Sequence, residues 1–258
     1  MLKRIVVGSM IAAAGWAGFY AASRWYATWG IHPAEAERAL PGDDLVPDAL
    51  KVDTRGITIA APPSEIWPWL VQMGYGRAGW YSYDRLDMRG RSADEIHPEW
   101  QTLAAGDVLP TDPGGGFVVR ALDPGRTLVA FIDSDLVAEQ RGTGDAGIAV
   151  TDAPGLATSG KVMGAAMPPR FAASWAFVLE PLGTDQTRLI ERMRFGVEAG
   201  SKGAVPTGPL LGFGVFVMMQ RHMLGIRERA ERSRAVPASR TGLASDAGPM
   251  SDAPVSVG

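Results

Sequence analysis

Near the C-terminus, Gly212, Val215, Phe216, Met219, Met223, Ile226 and Ala230 recur at steps of three and four residues. That spacing draws one apolar stripe along a helix, with Arg221, Glu228 and Arg232 on the far side. Such a helix has to lie on an apolar surface, and the preceding chain supplies one. Strand patterning runs through "TRGITIA" (54–60), 106–110, 117–122, 127–132, 173–181 and 187–196. Turns stand at Asp112-Pro113-Gly114, Asp123-Pro124-Gly125 and Gly183-Thr184-Asp185-Gln186. Pro62-Pro63-Ser64-Glu65 opens a helix running to about Met73, with Pro68 inside it, and a second short helix is expected over 82–89. The Gly/Ala-rich stretch 133–171 has no periodicity and is expected to be a long loop with a partial hairpin. Helices are segregated from strands. This order predicts an α+β fold, with an antiparallel sheet of about six or seven strands wrapped on a helix over roughly 205–232.

The ends of the chain read differently. Residues 5–23, "IVVGSMIAAAGWAGFYAAS", carry no charge. With a rise of ~1.5 Å per residue, this run and its flanks approach the thickness of a bilayer core. Lys3 and Arg4 precede the run, and Trp25, Tyr26 and Trp29 follow it, as aromatic residues do at a membrane interface. The run outlasts the apolar region of a signal peptide and aromatic residues interrupt its end, so a single-pass membrane anchor over 1–25 is expected. Two basic residues before it and Arg24 after it lean towards an inside N-terminus and a domain facing outward. Residues 26–52, acidic and punctuated by Pro, read as a tether to a domain over 53–232. The tail 233–258 is Ala, Ser, Gly, Pro and Asp, a composition that predicts disorder.

"MGYGRAGWYSYD" (73–84) places Gly74, Gly76 and Gly79 in the G-x-G-x-x-G spacing of a dinucleotide site. A dinucleotide site needs those glycines between a parallel strand and a helix. Here Gly74 follows the helical "SEIWPWLVQM", so the glycines read as turn punctuation and no cofactor is expected. The sequence has no cysteine, which excludes thiolate metal sites and Cys nucleophiles. With a net charge of −3 and no basic block, it offers no nucleic-acid footprint.

The segments "ITIAAPPSEIWPWLVQMG", "GWYSYD", "HPEWQTLAAGDVL", "SWAFVLEPLGTDQTRLIERMRF" and "FVMMQRHMLGIRERAE" together resemble the SRPBCC superfamily. Its members are helix-grip proteins related to START and Bet v1 domains and often called polyketide cyclase/dehydrase-like. The resemblance covers about 53–232. It implies a curved sheet gripping the C-terminal helix, with a cavity between them that takes apolar ligands. The long 133–171 insertion departs from a minimal domain of this kind.

Chemistry-bearing residues are few. His32, His97 and His222 form no H-x-x-x-H or H-E-x-x-H pair, so no zinc site is written in and no metal is expected. "DEIHPEW" gathers Asp94, Glu95, His97 and Glu99, which reads as a solvated loop rather than a cation site. No G-x-S-x-G elbow is present. In "RLIERMRF", Leu189, Glu191, Met193 and Phe195 share one strand face, opposite Arg188, Ile190, Arg192 and Arg194. If the apolar set faces the cavity, Glu191 points in with it, where burial raises a carboxyl pKa and suits acid or base work. The alternative is a Glu191 paired to a neighbouring cation or standing at the rim. Trp80, Tyr81, Tyr83 and Asp84 lie past the first helix, near the expected cavity mouth, and serve equally as ligand contacts or as packing. Trp175 and Phe177, with Phe216, Met219 and Met223 on the long helix, complete the expected cavity wall; Trp175, Phe177 and Trp100 also read as ordinary core, as Met219 and Met223 would in most proteins. Three functions stay open: a membrane-tethered carrier of a small hydrophobic ligand, a cyclase or lyase using Glu191, Tyr81 or Tyr83, and a cavity-free scaffold.

Overall fold

The computed structural model describes residues 15, 18, 20–87, 90–143, 170–197 and 209–235. One sheet holds six antiparallel strands: β1 (Lys51–Ile59), β2 (Val108–Asp112), β3 (Gly115–Asp123), β4 (Thr127–Asp133), β5 (Phe171–Pro181) and β6 (Thr187–Val197). Their order is β1-β6-β5-β4-β3-β2, so the chain runs as a meander except that the first strand pairs with the last. Residues 20–27 are helical, and the helices that follow are α1 (Pro33–Glu37), α2 (Pro63–Gln72), α3 (Asp84–Asp87), α4 (Ser134–Thr143) and α5 (Pro209–Ala235). The fold is α+β, as the segregated pattern predicts. The greater part of the expected span over 5–23, residues 144–169 and the tail beyond 235 lie outside the described residues. Among the described residues no helix is long and apolar enough to cross a membrane.

α2 and α5 cover the inner face of the sheet. Ile59, Leu70, Phe177, Leu189 and Ile226 are buried between these layers. α2 runs through Pro68 and ends at Gly74, whose φ of 133° is cheap only for glycine. Gly74 and Gly79 then exchange backbone hydrogen bonds of 3.0 and 3.1 Å, which closes the glycine-rich stretch into a turn. Gly225 solves a packing problem on α5. A Cβ there would lie 2.0 Å from the Tyr81 carbonyl oxygen, so only glycine lets the helix come this close.

The outer face holds a correction. The expected tether over 26–52 is packed along the sheet through α1 and a short turn at Asp43–Leu45. The arginines on the outward face of β6 bind it. Arg188 forks onto Glu35 at 2.8 and 2.9 Å, and Arg192 bonds Asp43 at 2.7 Å and the Ala36 carbonyl at 2.7 Å. Arg194 donates to the Val46 carbonyl at 2.9 Å. Leu40, with Ile31 beside it, packs on Val178 and Ile190. Two of the acidic residues read as part of a tether, Glu35 and Asp43, are counter-charges of β6.

The expected loop over 133–171 also begins otherwise. The Asp133 carboxylate accepts from the Leu136 amide at 2.8 Å and starts α4, and the Gln140 amide bonds the Gly116 backbone as donor and acceptor. α4 has no apolar stripe, so its signal lies in these polar contacts rather than in periodicity.

Candidate functional site

The inward face of β6 meets β1 on one side and β5 on the other. Across from Glu191 stand Arg55 on β1 and Phe177 on β5, while Asp53 and Trp175 flank Met193. Strand alternation therefore points Asp53, Arg55, Glu191, Phe177 and Trp175 towards the helices. Glu191 is fully buried. Its Oε1 accepts a 2.8 Å hydrogen bond from the Trp175 indole, and its Oε2 has no protein partner. Burial pushes its pKa up to about 7, against the opposing pull of Arg55 and the indole bond. Arg55 is itself 1% exposed and is held by Asp53 at 2.8 Å and by the Tyr26 carbonyl at 3.0 Å. Lys51 shares the same Asp53 oxygen at 3.0 Å. Glu191 thus feels a guanidinium whose charge is already answered.

α5 brings a second titratable group to the same wall. His222 is fully buried, with Nδ1 2.5 Å from the Trp80 carbonyl oxygen and Nε2 without a protein partner. Burial lowers its pKa to about 4. Trp175, at 6.0 Å between ring centroids, and Phe177, at 5.8 Å, connect it to Glu191. Trp80 stacks on Trp175 at 5.3 Å, and Phe117 meets Trp175 edge-on at 5.6 Å. Between the sheet and α5 these rings pack on one another. Two open grooves, of about 300 and 260 Å³, lie elsewhere, and neither is lined by Glu191 or His222.

The residues expected at a cavity wall divide into groups. Trp80, Trp175, Phe177, Glu191 and Met223 belong to the buried interior. Met193 and Met219 are partly exposed at its margin, as is Phe117. Phe216 turns to the N-terminal segment, where Trp25, Tyr26 and Trp29 pack around its ring. Tyr81 is committed to the scaffold: its hydroxyl donates to the Trp69 carbonyl at 3.0 Å, its ring carries Arg229 4.7 Å above, and burial raises its pKa far beyond the usual value. It also has φ 55°, the one positive φ among the described non-glycine residues. Tyr83 is 42% exposed, outside this cluster. Asp94, from the acidic loop, is engaged by Arg91 and Arg229.

Sequence reasoning passed over His222, Arg55 and Asp53. His222 falls three residues after Met219 and four before Ile226, which places it on the apolar stripe. Asp53 and Arg55 stand at the same every-second positions as Ile57 and Ile59, so their inward direction was written in the strand period.

No protein-family model matches the chain, and no curated protein sequence matches it. Several solved structures share its arrangement loosely. A structural-genomics protein from Mesorhizobium loti is 16% identical, covers 71% of this chain and 98% of its own, and has a TM-score of 0.36. A conserved protein from Geobacillus kaustophilus is 14% identical, over 69% and 93% of the two chains, with a TM-score of 0.35. The Zhui aromatase/cyclase of Streptomyces sp. R1128 is 10% identical, over 72% and 93%, with a TM-score of 0.26. At these values the likenesses assign no activity.

Proposed function

We propose that this protein binds a small, mostly apolar molecule in the interior between the sheet and α5, as a membrane-tethered carrier. The observation that carries the reading is Glu191: a fully buried carboxyl with one oxygen unmatched among aromatic rings. A core evolved for packing alone gains nothing from such a group, because an apolar residue of the same volume is commonly as stable or more so. The partly exposed Phe117, Met193 and Met219 form the natural entrance, and flexible Met side chains suit a wall that has to open. The resemblance to helix-grip proteins supports the same placement.

Native mass spectrometry of detergent-extracted protein tests this. The expected result is a co-purified small molecule that is lost in Met223→Trp, which fills the interior from α5. Bare protein that takes up nothing from a lipid extract would overturn it.

A second reading, a cyclase or lyase, is favoured by the Glu191 carboxyl having a pKa of about 7, where one side chain both gives and takes a proton. Tethering is supported by the uncharged 5–23 run and by Tyr20 and Trp25, 61% and 58% exposed where that run meets the domain. Carbonate-washed membranes should retain the chain with its N-terminus at or near Met1. A soluble form beginning near Trp25 would make the run a signal peptide.

A further inference from the structure

Three buried side-chain atoms on the inward wall have no protein partner: Asp53 Oδ1 beside Arg55, and two among the aromatic rings, Glu191 Oε2 and His222 Nε2, which act as hydrogen-bond acceptors. His222 Nδ1 faces the Trp80 carbonyl, which can only accept, so Nδ1 carries the hydrogen. The buried ring is neutral near pH 7, which leaves a lone pair on Nε2. Glu191 Oε2, once ionised, is likewise an acceptor without a protein partner. Among the neighbouring donors, the Trp175 indole is taken by Glu191, the Tyr81 hydroxyl by the Trp69 carbonyl, His222 Nδ1–H by the Trp80 carbonyl, and Arg55 Nε and Nη2 by the Tyr26 carbonyl and Asp53. One wall joins the two acceptors, since Trp175 and Phe177 each contact the His222 ring and adjoin Glu191.

A guest that offers only acceptors, or a carboxylate, would set acceptor against acceptor in a low-dielectric interior. A hydroxyl or N–H satisfies one of them. Sites built this way discriminate strongly, because the wrong guest leaves a buried polar atom unmatched.

We infer that the interior selects apolar molecules bearing a hydrogen-bond donor, a hydroxyl above all, and that His222 Nε2 and Glu191 Oε2 are its specificity-determining acceptors. This rests on the interior binding proposed above, and it adds the chemical class of the guest and a role for His222.

The test compares 4-propylphenol with 4-propylanisole, the same skeleton with its hydroxyl capped. Each is titrated at pH 8 into the full chain in lipid nanodiscs, with empty nanodiscs as the blank. The phenol should bind at least about tenfold more tightly. In His222→Phe the preference should shrink below about threefold while the anisole still binds. Equal affinities for the unaltered protein would overturn the donor selection and leave apolar binding standing. Uptake of neither probe would overturn the binding reading itself. An undiminished preference in His222→Phe would overturn the role given to His222. The comparison on the unaltered protein stands even if that variant fails to fold.

Discussion

On the outward face of β6, Arg188, Arg192 and Arg194 are all held by the N-terminal segment, and Arg192 is saturated. Arg192 reaches Asp43, Thr54 and the carbonyls of Ala36 and Arg38, and Arg188 forks onto Glu35, whose carboxyl it holds below the usual range. On the inward face of the same strand, Glu191 has one indole and an open oxygen. Both faces bury charge, and only one completes it. A buried charge whose hydrogen bonds are all met behaves as part of the scaffold, whereas one left half-met points to a task beyond folding.

The outer face should break hardest. Arg192→Ala leaves Asp43 with only Arg194 at 3.6 Å and the Leu40 amide, and it removes the main clamp on the N-terminal segment, a loss on the order of 3–4 kcal/mol by analogy with other severed buried ion pairs. Circular dichroism should then show a melting temperature lower by roughly 6–16 °C. A fall of less than about 2 °C would mean that the strap contributes little to stability.

The inner face should respond in pH dependence. The folded pKa of Glu191, about 7, lies above its ordinary 4.5, so the folded state prefers the protonated form. Its penalty is absent below about pH 4.5, grows as pH rises and is complete above about pH 7, reaching on the order of 3 kcal/mol. His222 acts in the opposite sense, because its folded pKa of about 4 lies below its ordinary 6.5. Its penalty is absent above about pH 6.5 and grows as pH falls towards 4. The two trends offset each other in the unaltered protein. Urea titrations of Glu191→Gln should therefore show stability rising from pH 4 to 6.5 more steeply than in the parent. Identical pH profiles for variant and parent would refute a raised Glu191 pKa.

The smallest effect belongs to an arginine on neither face. Arg221 bonds Glu228 at 2.6 Å on the exposed side of α5, and Arg221→Ala should cost no more than about 0.5 kcal/mol. A loss comparable to that of Arg192→Ala would erase the distinction between saturated burial and surface pairing.

The same contrast explains what was legible in the sequence. The strands and α5 declare themselves through periods of two and of three to four, because every turn of each carries its own apolar signal. The inward direction of Glu191 followed from Leu189 and Met193 beside it. The packed course of residues 30–50 did not, since nothing local distinguishes a carboxylate that will meet a distant arginine from one that stays in water. α4 was hidden because a cap and a Gln140–Gly116 contact specify it. That Trp80, Trp175, Phe177 and His222 pack ring on ring is likewise a property of three separate parts of the chain, a loop, β5 and α5.

The pairing of first strand with last has a consequence for the order in which the molecule is made. Asp43 is 149 residues from Arg192, and Glu35 is 153 from Arg188. At a synthesis rate of ~5–20 residues per second, the N-terminal segment waits roughly 7–30 s for its partners to leave the ribosome. Through that interval it has no sheet to lie on and must remain hydrated without sticking. An acidic, Pro-punctuated composition with few large apolar residues serves a nascent chain in that position. The sequence of 30–50 looks like a linker because, until β6 emerges, it has to behave as one.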